Sequence, residues 1–343
     1  MNIVRVALAV PLPRFFDYLY PPDLTPIVGG RVLVPFGSQK RVGIVVDLPA
    51  SSDVAKEKLK PIIDVLDAES LFNSTTWDWL AWSANYYRAA LGDVLFQALP
   101  VKLRNGESAV KNDRTFWRIT DLGKQALELG ALKRAKKQIE ALNLLLTQDL
   151  EKGNNEISSA IWSALKGKDY VEEIIVPTEQ KSWQQALGDN PLVNLDNRLT
   201  LNKQQALAFS QLLFQEGFNV WLLEGVTGSG KTEIYLQYIE EVLKKGKQVL
   251  VLVPEIGLTP QTVRRFQARF NVEIDVLHSN LNDTQRLNVW ERARTGQSAI
   301  VIGTRSALFT QFSDLGLIIL DEEHDGSFKQ QDGWRYHARD LGI

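Results

Sequence analysis

Apolar and polar positions follow two different patterns along this chain, and the change comes near residue 200. Before that point, short apolar runs are separated by turn residues such as Pro21-Pro22 and Gly29-Gly30, which is typical of short strands. After it, nearly continuous apolar runs alternate with segments whose apolar residues recur at helical spacing, as in parallel strands joined by helices. The chain is therefore predicted to combine smaller domains with one α/β domain.

The first 105 residues are predicted to form a small β-rich domain that ends in helices. Three apolar runs predict the strands of a sheet or barrel: Ile3–Val10, Arg31–Pro35 and Arg41–Asp47. A helix is predicted from Thr75 to Ala90, where Trp79, Trp82 and Tyr86 recur on one face. These aromatic residues could stack on nucleic-acid bases, but a stripe at that spacing more often packs into a core, and we expect that role.

Residues 106–180 are predicted to form a winged-helix domain. Three short helices and a closing strand support it: Arg118–Leu129, Arg134–Leu146, Ile157–Lys166 and Tyr170–Val176. The basic run from Lys133 to Lys137 could meet phosphates, although such runs are usually solvated helix faces, and we favour that role. Residues 181–198 mix polar residues, Gly and Pro without periodicity, which predicts a linker.

Residues 199–343 alternate between strands and helices. The predicted strands are Val220–Leu223, Gln248–Pro254, Glu273–His278, Ala299–Gly303 and Leu317–Leu320. The predicted helices are Gln205–Gln215, Glu233–Lys244, Gln261–Phe270 and Asp283–Arg294. This alternation predicts a doubly wound parallel α/β sheet with helices on both faces.

A glycine-rich turn separates the first of these strands from the next helix. Gly225, Gly230, Lys231 and Thr232 fit the phosphate-loop pattern of ATP-binding proteins. Glycines let backbone N–H groups point at phosphate oxygens, and the start of the helix adds the positive end of its dipole. Lys231 would reach the β- and γ-phosphates, and the Thr232 hydroxyl would ligate Mg²⁺. The predicted loop also contains Val226, Thr227, Gly228 and Ser229.

An acidic motif, Asp321-Glu322-Glu323-His324, follows the last apolar strand. Open α/β sheets bind ligands at the carboxyl ends of their strands, which is where this motif is expected. We expect Asp321 to hold Mg²⁺ and Glu322 to orient and deprotonate the attacking water. Together with Lys231, these two carboxylates form the predicted catalytic set of an ATP hydrolase. His324 could instead be a hydrogen-bonding surface residue.

Composition narrows the class of protein only slightly. The chain has 39 basic and 41 acidic residues, so any nucleic-acid binding would have to depend on local patches of charge. It contains no cysteine, which excludes disulfides and thiolate zinc sites in this chain and fits a reducing cytosol. No apolar run is long enough to span a bilayer, and the N-terminus is a poor signal peptide, so we expect a cytoplasmic protein without a membrane partner.

These motifs resemble those of DExH-type (DEAH-type) helicases of superfamily 2, and more closely those of the primosomal protein N′ (PriA) family. The similar motor segments are Pro254–Gln261, Gly303–Phe309, Asp321–His324 and Lys329–Asp340. Val10–Tyr18 and Val34–Gly37 resemble the opening domain of that family. The resemblance implies that residues 199–343 form a RecA-like first helicase lobe and that residues 1–105 bind the 3′ end of a DNA strand.

The activity of the family is implied as well. It is the ATP-dependent 3′-to-5′ unwinding of DNA by a replication-restart helicase that recognises stalled or abandoned forks and initiates primosome assembly. ATP and Mg²⁺ would be the cofactors, and forked and single-stranded DNA the ligands. The implied protein partners are single-strand binding protein, PriB and DnaT, and the implied location is at replication forks in the nucleoid.

The resemblance assigns a pocket for the 3′ end of a nascent strand to Phe16, Asp17, Tyr18, Gly37 and Lys60. A small pocket with an aromatic wall and exposed backbone can stack one terminal base and detect a free 3′-hydroxyl without reading sequence. Without the resemblance, ordinary packing within a sheet would be the favoured role for Phe16 and Tyr18.

Further site residues are implied within the motor lobe. Gln205 matches a glutamine that pairs with adenine, although the neighbouring Gln204 leaves the assignment open by one position. Thr259, Thr304 and Arg305 would contact the backbone of single-stranded DNA from loops that follow strands.

An aromatic-rich segment lies just beyond the acidic motif and contains Phe328, Trp334, Tyr336 and His337. A polar stretch with glycine fits a core poorly, so we expect a functional role for it. In the family this segment couples DNA binding to ATP hydrolysis, and Trp334 and Tyr336 are therefore predicted to contact DNA.

The chain ends at Ile343, inside the implied first lobe. The second lobe, with an arginine that reaches the γ-phosphate, and the family's zinc sites, whose cysteine ligands this chain lacks, would lie outside it. Because such an arginine contributes about a thousandfold or more to phosphoryl transfer, we expect this chain to bind ATP weakly, hydrolyse it poorly and not translocate.

Two alternatives remain open. The chain could be a fork- or 3′-end-binding module whose nucleotide site is inert. It could also be a different phosphate-loop ATPase, such as a transport or signalling nucleotidase, in which residues 1–180 are unrelated adaptors.

Overall fold

The computed structural model describes residues 2–10, 12–108, 114–132, 135–152, 157–176, 180–213, 217–226 and 228–343. The chain forms two compact units. One unit contains residues 1–109 and 181–343, and the other contains residues 110–180. The larger unit holds an antiparallel and a parallel sheet, as the predicted combination of a β-rich domain and a RecA-like lobe requires.

The antiparallel sheet is built from the first part of the chain. Its strands are β1 (Asn2–Leu8), β2 (Phe16–Tyr20), β3 (Arg31–Phe36), β4 (Gln39–Asp47) and β5 (Asp64–Val65). They are ordered β2-β1-β4-β3-β5, and neighbouring strands run antiparallel. The three predicted strands are confirmed. Strand β2 was not predicted from the sequence, because its five residues carry the charged Asp17 among aromatic side chains.

One face of this sheet forms a core, which includes the fully buried Val4 and Val34. Arg31 is also fully buried, and its guanidinium donates to both carboxylate oxygens of Asp67 at 2.8 Å. It also donates to the carbonyl oxygen of Leu103 at 2.6 Å. Since a buried charge is stable only when its hydrogen bonds are satisfied, Arg31 fixes the sheet to the helices that follow.

Three helices follow the sheet: α1 (Ser74–Tyr86), α2 (Leu91–Gln97) and α3 (Val101–Arg104). The predicted helix is confirmed as α1, which begins after Asn73, whose side chain accepts a hydrogen bond from the N–H of Thr76. It ends at Tyr86, four residues earlier than the sequence predicts.

The aromatic stripe on α1 does not pack into the core as predicted. The buried face of the helix consists of Leu80, Ser83 and Ala84. Trp82 is 46% exposed and Tyr86 is 57% exposed, and their rings stack on each other at 4.9 Å. The core prediction is wrong for these two residues because Leu80, Ser83 and Ala84 occupy the buried face instead.

Helix α1 is hydrogen-bonded to the last residues of the same unit. Trp79 donates from Nε1 to the carbonyl oxygen of Leu341 at 2.8 Å. The Tyr87 hydroxyl donates to the carboxylate of Asp340 and accepts from the backbone N–H of His337, both at 3.1 Å. These three bonds form a clamp between segments that are 250 to 262 positions apart in the chain.

The smaller unit has three helices and a three-stranded antiparallel sheet, the element types that the sequence predicts, and its assignment as a winged-helix domain stays a prediction. Its elements are β6 (Arg114–Ile119), α4 (Asp121–Glu128), α5 (Lys136–Thr147), β7 (Leu150–Glu151), α6 (Ser159–Lys166) and β8 (Val171–Val176). The strands are ordered β7-β6-β8. Trp117 and Trp162 stack at 5.2 Å in its core.

The helix predicted within Arg118–Leu129 is present as α4, which begins at Asp121 after the N-cap Thr120. Arg118 itself lies in β6, because this segment pairs with β8. In the basic run, Lys133 and Arg134 lie outside the described residues. The next two lysines are exposed on α5, as expected for a solvated face.

The parallel sheet is built from the last part of the chain. Its strands are β9 (Gln248–Leu252), β10 (Ile274–Leu277), β11 (Ile300–Gly303) and β12 (Leu315–Leu320). Helices α7 (Trp183–Leu187), α8 (Lys203–Leu213), α9 (Lys231–Lys244), α10 (Pro260–Arg269), α11 (Asp283–Arg294) and α12 (Ala338–Gly342) accompany them. The strand order is β10-β11-β9-β12, and all pairs are parallel. The carboxyl ends of all four strands therefore meet at one edge.

The first predicted strand of this domain, Val220–Leu223, is not a strand. Val220 is 57% exposed and Leu222 is 73% exposed, and neither belongs to any ladder among the described residues. An apolar run becomes a strand only where a neighbouring edge pairs with it. Here β12 ends the sheet, and its pairing partner is β9 alone.

Residues 181–198, the predicted linker, are packed against the parallel sheet. Trp183 and Val193 are buried in the same core as strands β9 and β11. The predicted helix Gln205–Gln215 is confirmed as α8, although Gln215 itself lies outside the described residues. Among the helices of the described chain, none is long and apolar enough to cross a lipid bilayer.

Candidate functional site

The phosphate loop leads directly into α9, as predicted. Gly230 is the N-cap of this helix and has φ +83°, a left-handed conformation that favours glycine. A Cβ atom at this position would also lie 2.3 Å from Nε2 of Gln205. The backbone conformation therefore favours glycine here, and a side chain would also have to displace the end of Gln205. Thr227, one of the predicted ATP-binding residues, lies outside the described residues.

Lys231 is already bound to the loop that it would serve. Its ammonium group donates to the carbonyl oxygen of Gly225 at 2.5 Å and to that of Val226 at 3.4 Å. The loop residues Gly225, Val226 and Gly228 are exposed, and Thr232 follows in the first turn of α9. A phosphate group at this helix start would replace the two carbonyl oxygens as the acceptor for Lys231.

Gln205 connects α8 to the phosphate loop. Its side-chain oxygen accepts from the N–H of Asn202 at 2.9 Å, and its Nε2 donates to the carbonyl oxygen of Ser229 at 2.8 Å. This contact distinguishes it from Gln204, whose backbone N–H bonds to Asn202. The side chain of Gln205 thus positions the loop, and its role in binding adenine stays a prediction.

Asp321 lies at the carboxyl end of β12, where the sequence predicts it. The Tyr235 hydroxyl, on α9, donates to its carboxylate at 3.3 Å. Burial raises the pKa of Asp321, and the neighbouring charge of Glu322 acts in the same direction, while Tyr235 and Lys231 oppose the rise. The carboxylate is therefore short of positive charge. Burial also raises the pKa of Tyr235 far above its ordinary value, which keeps it a hydrogen-bond donor.

Glu322 follows with a strained backbone. Its φ of +50° is in the left-handed region, which a residue with a side chain adopts at a cost of about 1–2 kcal/mol. Its carboxylate is exposed and lies 3.8 Å from Nε2 of His324. Strain of this kind is concentrated at functional positions, which fits the predicted role of Glu322 beside the phosphate loop.

The donor set fits Mg²⁺ better than a fully protein-bound metal. No group of three or more acidic or histidine side chains within the described residues could hold a metal ion. Mg²⁺ usually takes one or two protein ligands and completes its shell with water and phosphate oxygens. Asp321 and Thr232 can supply those two protein ligands, since Asp321 is half-buried without a matching cation and Thr232 follows Lys231.

A buried ion pair fixes the base of α9. Arg269, on α10, is 1% exposed and donates to Glu233 of α9 at 3.2 Å. Arg269 also donates to the carbonyl oxygen of Asn197 at 2.8 Å, and Gln237 joins Glu233 to the carbonyl oxygen of Leu199. The sequence analysis did not identify this network, because its members are scattered along the chain. This network fixes the first turn of α9, which directly follows the exposed phosphate loop.

The predicted DNA contacts of the motor lobe fall into two places. Thr259 and Thr304 line one cavity of about 540 Å³ at the carboxyl edge of the sheet. Arg264 and His278, which were not predicted, line the same cavity. Arg305 is directed elsewhere, since its Nη1 donates to two carbonyl oxygens of the aromatic-rich segment at 2.8 and 2.9 Å.

The aromatic-rich segment is partly a core, contrary to the prediction that it fits a core poorly. Phe328 is fully buried and Tyr336 is only 2% exposed. Tyr336 packs on Phe309 at 5.1 Å and on Trp334 at 4.8 Å, and burial raises its pKa to about 12. These side chains pack because Phe309, on another loop, covers them. Trp334 is half-buried, so of the two predicted contacts it is the more accessible to a base.

The predicted 3′-end pocket is divided between the two faces of β2. Phe16 and Tyr18 face the core, where Tyr18 donates from its hydroxyl to the carbonyl oxygen of Pro35 at 3.2 Å. Asp17 faces the other way and accepts two hydrogen bonds from Arg5, at 2.8 and 3.0 Å, and one from Ser52. The Arg5 hydrogen bonds lower the pKa of Asp17 below its ordinary value, against the effect of burial.

Phe16 has neighbours that sequence analysis missed. It packs edge-on against Phe36 at 5.2 Å, and the guanidinium of Arg14 lies 5.1 Å from the centre of its ring. Arg41 lies 5.4 Å from the ring of Phe36 in the same way. Aromatic rings with arginine beside them suit a base and its phosphate. Phe16 and Phe36 lie 20 positions apart, so their contact has no signature within one stretch of sequence, although Arg14 is only two positions from Phe16.

Gly37 and Lys60 lie at the edges of this region. Gly37 is exposed with φ +61° in the turn between β3 and β4, and no atom lies within 4 Å of where its Cβ would be. The carbonyl oxygen of Lys60 accepts from the N–H of Leu19, and its side chain is exposed. Gly37 therefore lies next to Phe36, and the backbone of Lys60 is hydrogen-bonded to Leu19 of β2.

Two family descriptions match this chain. The 3′ DNA-binding domain (3′BD) description matches residues 5–100, which include β2 and Gly37. The DEAD/DEAH box helicase description matches residues 202–342, which include the phosphate loop and the acidic motif.

Proteins named replication restart protein PriA are similar over the whole chain. That of Haemophilus influenzae is 76% identical over 343 residues, which cover 100% of this chain and 47% of the relative. That of Buchnera aphidicola from Acyrthosiphon pisum is 36% identical over 350 residues, which cover 100% of this chain and 47% of the relative. That of Bacillus subtilis is 29% identical over 425 residues, which cover 100% of this chain and 51% of the relative. The chain spans about half the length of these curated relatives.

The matches agree with the motifs and with the fold. The resemblance inferred from the acidic motif and the phosphate loop is confirmed, and both predicted kinds of domain are present. The chain carries the matched 3′ DNA-binding and DEAD/DEAH box helicase domains and is similar over its whole length to replication restart proteins PriA, of which it covers about half.

Proposed function

We propose that this chain is the part of a replication-restart helicase that reads DNA ends and binds ATP. In this proposal residues 1–105 bind the 3′ end of a strand at a stalled fork, and residues 106–180 form a winged-helix domain. Residues 199–343 form the first motor lobe, with 181–198 as the connection. The observation that carries the proposal is the half-buried Asp321 beside the phosphate-loop Lys231, at the carboxyl edge of a parallel sheet.

At the nucleotide site, Lys231 would bind the β- and γ-phosphates of ATP, and the amides before α9 would bind the remaining phosphate oxygens. Asp321 and Thr232 would hold Mg²⁺, which when bound neutralises charge on the phosphates. Glu322 would orient the water that attacks the γ-phosphate, and Tyr235 would keep the Asp321 carboxylate in place. Gln205 would support the loop and meet the adenine edge.

At the DNA-end site, a terminal base would stack on Phe16 while Arg14 and Arg41 meet the adjacent phosphate. The open turn at Gly37 would expose backbone to the 3′-hydroxyl. Asp17, held by Arg5, would stiffen β2 under this pocket. Thr259, Thr304 and Trp334 would contact single-stranded DNA further along.

The activity of the whole protein belongs to the same proposal. It is ATP-dependent 3′-to-5′ unwinding that prepares an abandoned fork in the cytoplasm for primosome assembly, with single-strand binding protein, PriB and DnaT as partners. The similarity to replication restart proteins PriA supports a role in replication restart. The absence of cysteine from this chain means that the zinc expected for the family would be bound outside these residues.

A fork-binding assay tests the proposal. Two forks differ only in whether the strand that ends at the branch has a free 3′-hydroxyl or a 3′-phosphate. We expect purified residues 1–343 to bind the free-hydroxyl fork at least several-fold more tightly, and Gly37→Glu, which adds a negative side chain at an open turn, to remove the difference. Equal affinity of the parent chain for both forks would contradict end recognition.

For residues 1–343 alone, a second function is favoured by a specific observation: a DNA-end-binding module with a silent nucleotide site. The segment Val220–Leu223 is exposed, and Lys231 is occupied by loop carbonyls. ATPase measurements with and without forked DNA separate the two. DNA-stimulated turnover supports the motor, whereas DNA binding without turnover supports the module.

A further inference from the structure

Helix α1 presents an aromatic surface that no role assigned so far explains. Trp82 and Tyr86 stack with their rings 23° from parallel and 4.9 Å apart, and about half of each side chain is exposed. Exposed tryptophan and tyrosine on consecutive turns of a helix cost free energy in water unless something covers them. We call this pair the α1 platform.

The α1 platform is continuous with the aromatic-rich segment. Tyr86 contacts Tyr87 edge-on at 4.9 Å, and Tyr87 contacts Trp334 edge-on at 6.3 Å. The run of rings therefore leads from the exposed Trp82 to the residue that is proposed to stack on DNA in the motor lobe. The Tyr87 hydroxyl donates to Asp340 and accepts from the backbone N–H of His337, and these two bonds hold the ends of this run together.

Unpaired positive charge lies along the same run. Arg88 follows the two tyrosines, and Arg335 follows Trp334; both are exposed. Within the described residues, neither of these arginines forms an ion pair or a side-chain hydrogen bond. The acidic residues on these segments are Asp78, one turn before Trp82, Asp332, three positions before Arg335, and Asp340, which bonds to Tyr87. The arginines are therefore free to meet an anion.

Flat exposed rings next to unpaired arginines fit one chemical class of ligand better than others. Single-stranded nucleic acid offers bases, which stack on aromatic faces, and phosphates, which pair with arginine. An apolar protein surface would use the rings but would bury the two arginines without partners, which is costly. A duplex would hide its bases from the rings altogether.

We propose that the α1 platform stacks bases of single-stranded DNA and extends the DNA path from Trp334 onto the first domain, with Arg88 and Arg335 at the phosphates. This rests on the proposed function, because it adds a contact for the same ligand. The site is separate from the 3′-end pocket, since it needs no free end. The platform binds nucleotides within a strand, whatever their base sequence.

The test uses a fluorescein-labelled 20-nucleotide oligothymidine that ends in a 3′-phosphate, so that the 3′-end pocket contributes little. We expect the double variant Trp82→Ala, Tyr86→Ala to bind it about tenfold more weakly than the parent chain. Trp82→Phe, Tyr86→Phe keeps aromatic faces and should recover most of the affinity. Phe218→Ala, which removes an exposed ring elsewhere, is the matched control and should have no effect.

A second readout reports contact directly. With 5-iododeoxyuridine in place of thymidine, ultraviolet crosslinking followed by mass spectrometry should recover peptides that contain Trp82 or Tyr86. Because both side chains are exposed, their replacement should leave the melting temperature of the chain unchanged, so that loss of binding cannot be attributed to unfolding.

The outcomes separate this inference from the proposed function. Unchanged oligothymidine affinity in the double alanine variant, with crosslinks elsewhere, overturns the α1 platform as a DNA site and assigns its rings to a protein contact. If the parent chain still prefers a free 3′ end on a fork in that case, the proposed function stands. If the parent chain binds neither DNA, both are overturned.

Discussion

Asp17 and Asp321, one at each sheet of the larger unit, differ in their hydrogen-bond partners and in the direction in which their pKa is shifted. Asp17 accepts three hydrogen bonds from Arg5 and Ser52, and its pKa is lowered. Asp321 has one tyrosine hydroxyl as its side-chain donor, and burial raises its pKa. The charge at the first site is already neutralised by an ion pair, whereas Asp321 forms no ion pair within the described residues and feels the positive charge of Lys231 only as a weaker influence.

The contrast extends to the surroundings. In the antiparallel sheet, strand register supplies Arg5 opposite Asp17, so the region is complete without a ligand. At the phosphate loop, Lys231 bonds to carbonyl oxygens of its own exposed loop, which a bound anion would have to displace. Under the proposed function, the first region would be a preformed surface for an uncharged feature of DNA, a strand end, and the second a site whose charges would be balanced only when nucleotide and metal bind.

The largest expected effect is at Lys231. Lys231→Ala should weaken binding of a fluorescent ATP analogue by about a hundredfold, because a charge-assisted bond to phosphate is lost. Stability should hardly change, since the loop that Lys231 contacts is exposed. Lys244→Ala, at the other end of the same helix, is the control and should leave affinity unaltered. A Lys231→Ala protein that binds as the parent does would show that the loop is not the nucleotide site.

Asp17→Asn should affect stability rather than nucleotide binding. Losing the charged hydrogen bonds from Arg5 should lower the opening free energy of the β1–β2 pair by about 2 kcal/mol, measured by amide hydrogen exchange. Asp47→Asn is the matched control. The Asp47 side chain is 56% exposed and its carboxylate lies 3.8 Å from the Arg5 guanidinium, and an exposed ion pair of this length contributes little to stability. Equal losses in the two variants would contradict a preformed carboxylate site.

The lowered pKa of Asp17 gives this effect a pH dependence. A carboxylate whose pKa is lower in the folded state contributes stability above its unfolded pKa of about 3.9, and this contribution is lost as pH falls through the folded value. The difference in stability between the parent and Asp17→Asn should therefore be constant from pH 7 to about 5 and shrink below about pH 4. Hydrogen exchange at several pH values measures it. A difference that grew on acidification would reverse the assigned sign.

Asp321→Asn should have the smallest effect on stability. Unlike Asp17→Asn, it should instead affect the binding of nucleotide and Mg²⁺. Because the charge of Asp321 is half-buried without a cation, its removal should change the free energy of unfolding by no more than about 1 kcal/mol, or increase it. Calorimetry should at the same time show that Mg²⁺ no longer strengthens ATP binding. Asp314→Asn, at the start of the same strand, is the control. A large loss of stability at Asp321 would mean that its charge is already satisfied.

Local patterns predicted much of this molecule. Helix periodicity and apolar runs predicted the parallel sheet, and the spacing of Gly225, Gly230 and Lys231 predicted the loop before α9. The aromatic stripe of α1 was misjudged because spacing shows which side chains share a face but not which face is covered. Val220–Leu223 was misjudged for a related reason, since an apolar run shows that a segment can form a strand but not that it pairs with a neighbouring edge.

Contacts between distant positions could not be read from any one stretch. Tyr235 meets Asp321 across 86 positions, and Arg269 meets Glu233 across 36. The burial of Tyr336 depends on Phe309, which lies on a different loop. Such residues have ordinary identities and become informative only when the fold brings them together. The motifs therefore identified the chemistry, while the structure identified the residues that hold it in place.

The clamp between Trp79 and Leu341 has a consequence for how the protein is made. Trp79 leaves the ribosome 262 residues before its partner. At the usual rate of synthesis of 5–20 residues per second, it must wait roughly 10 to 50 s for that partner. Its helix would be incompletely packed on the nascent chain during this time, and hence a natural segment for a chaperone to cover.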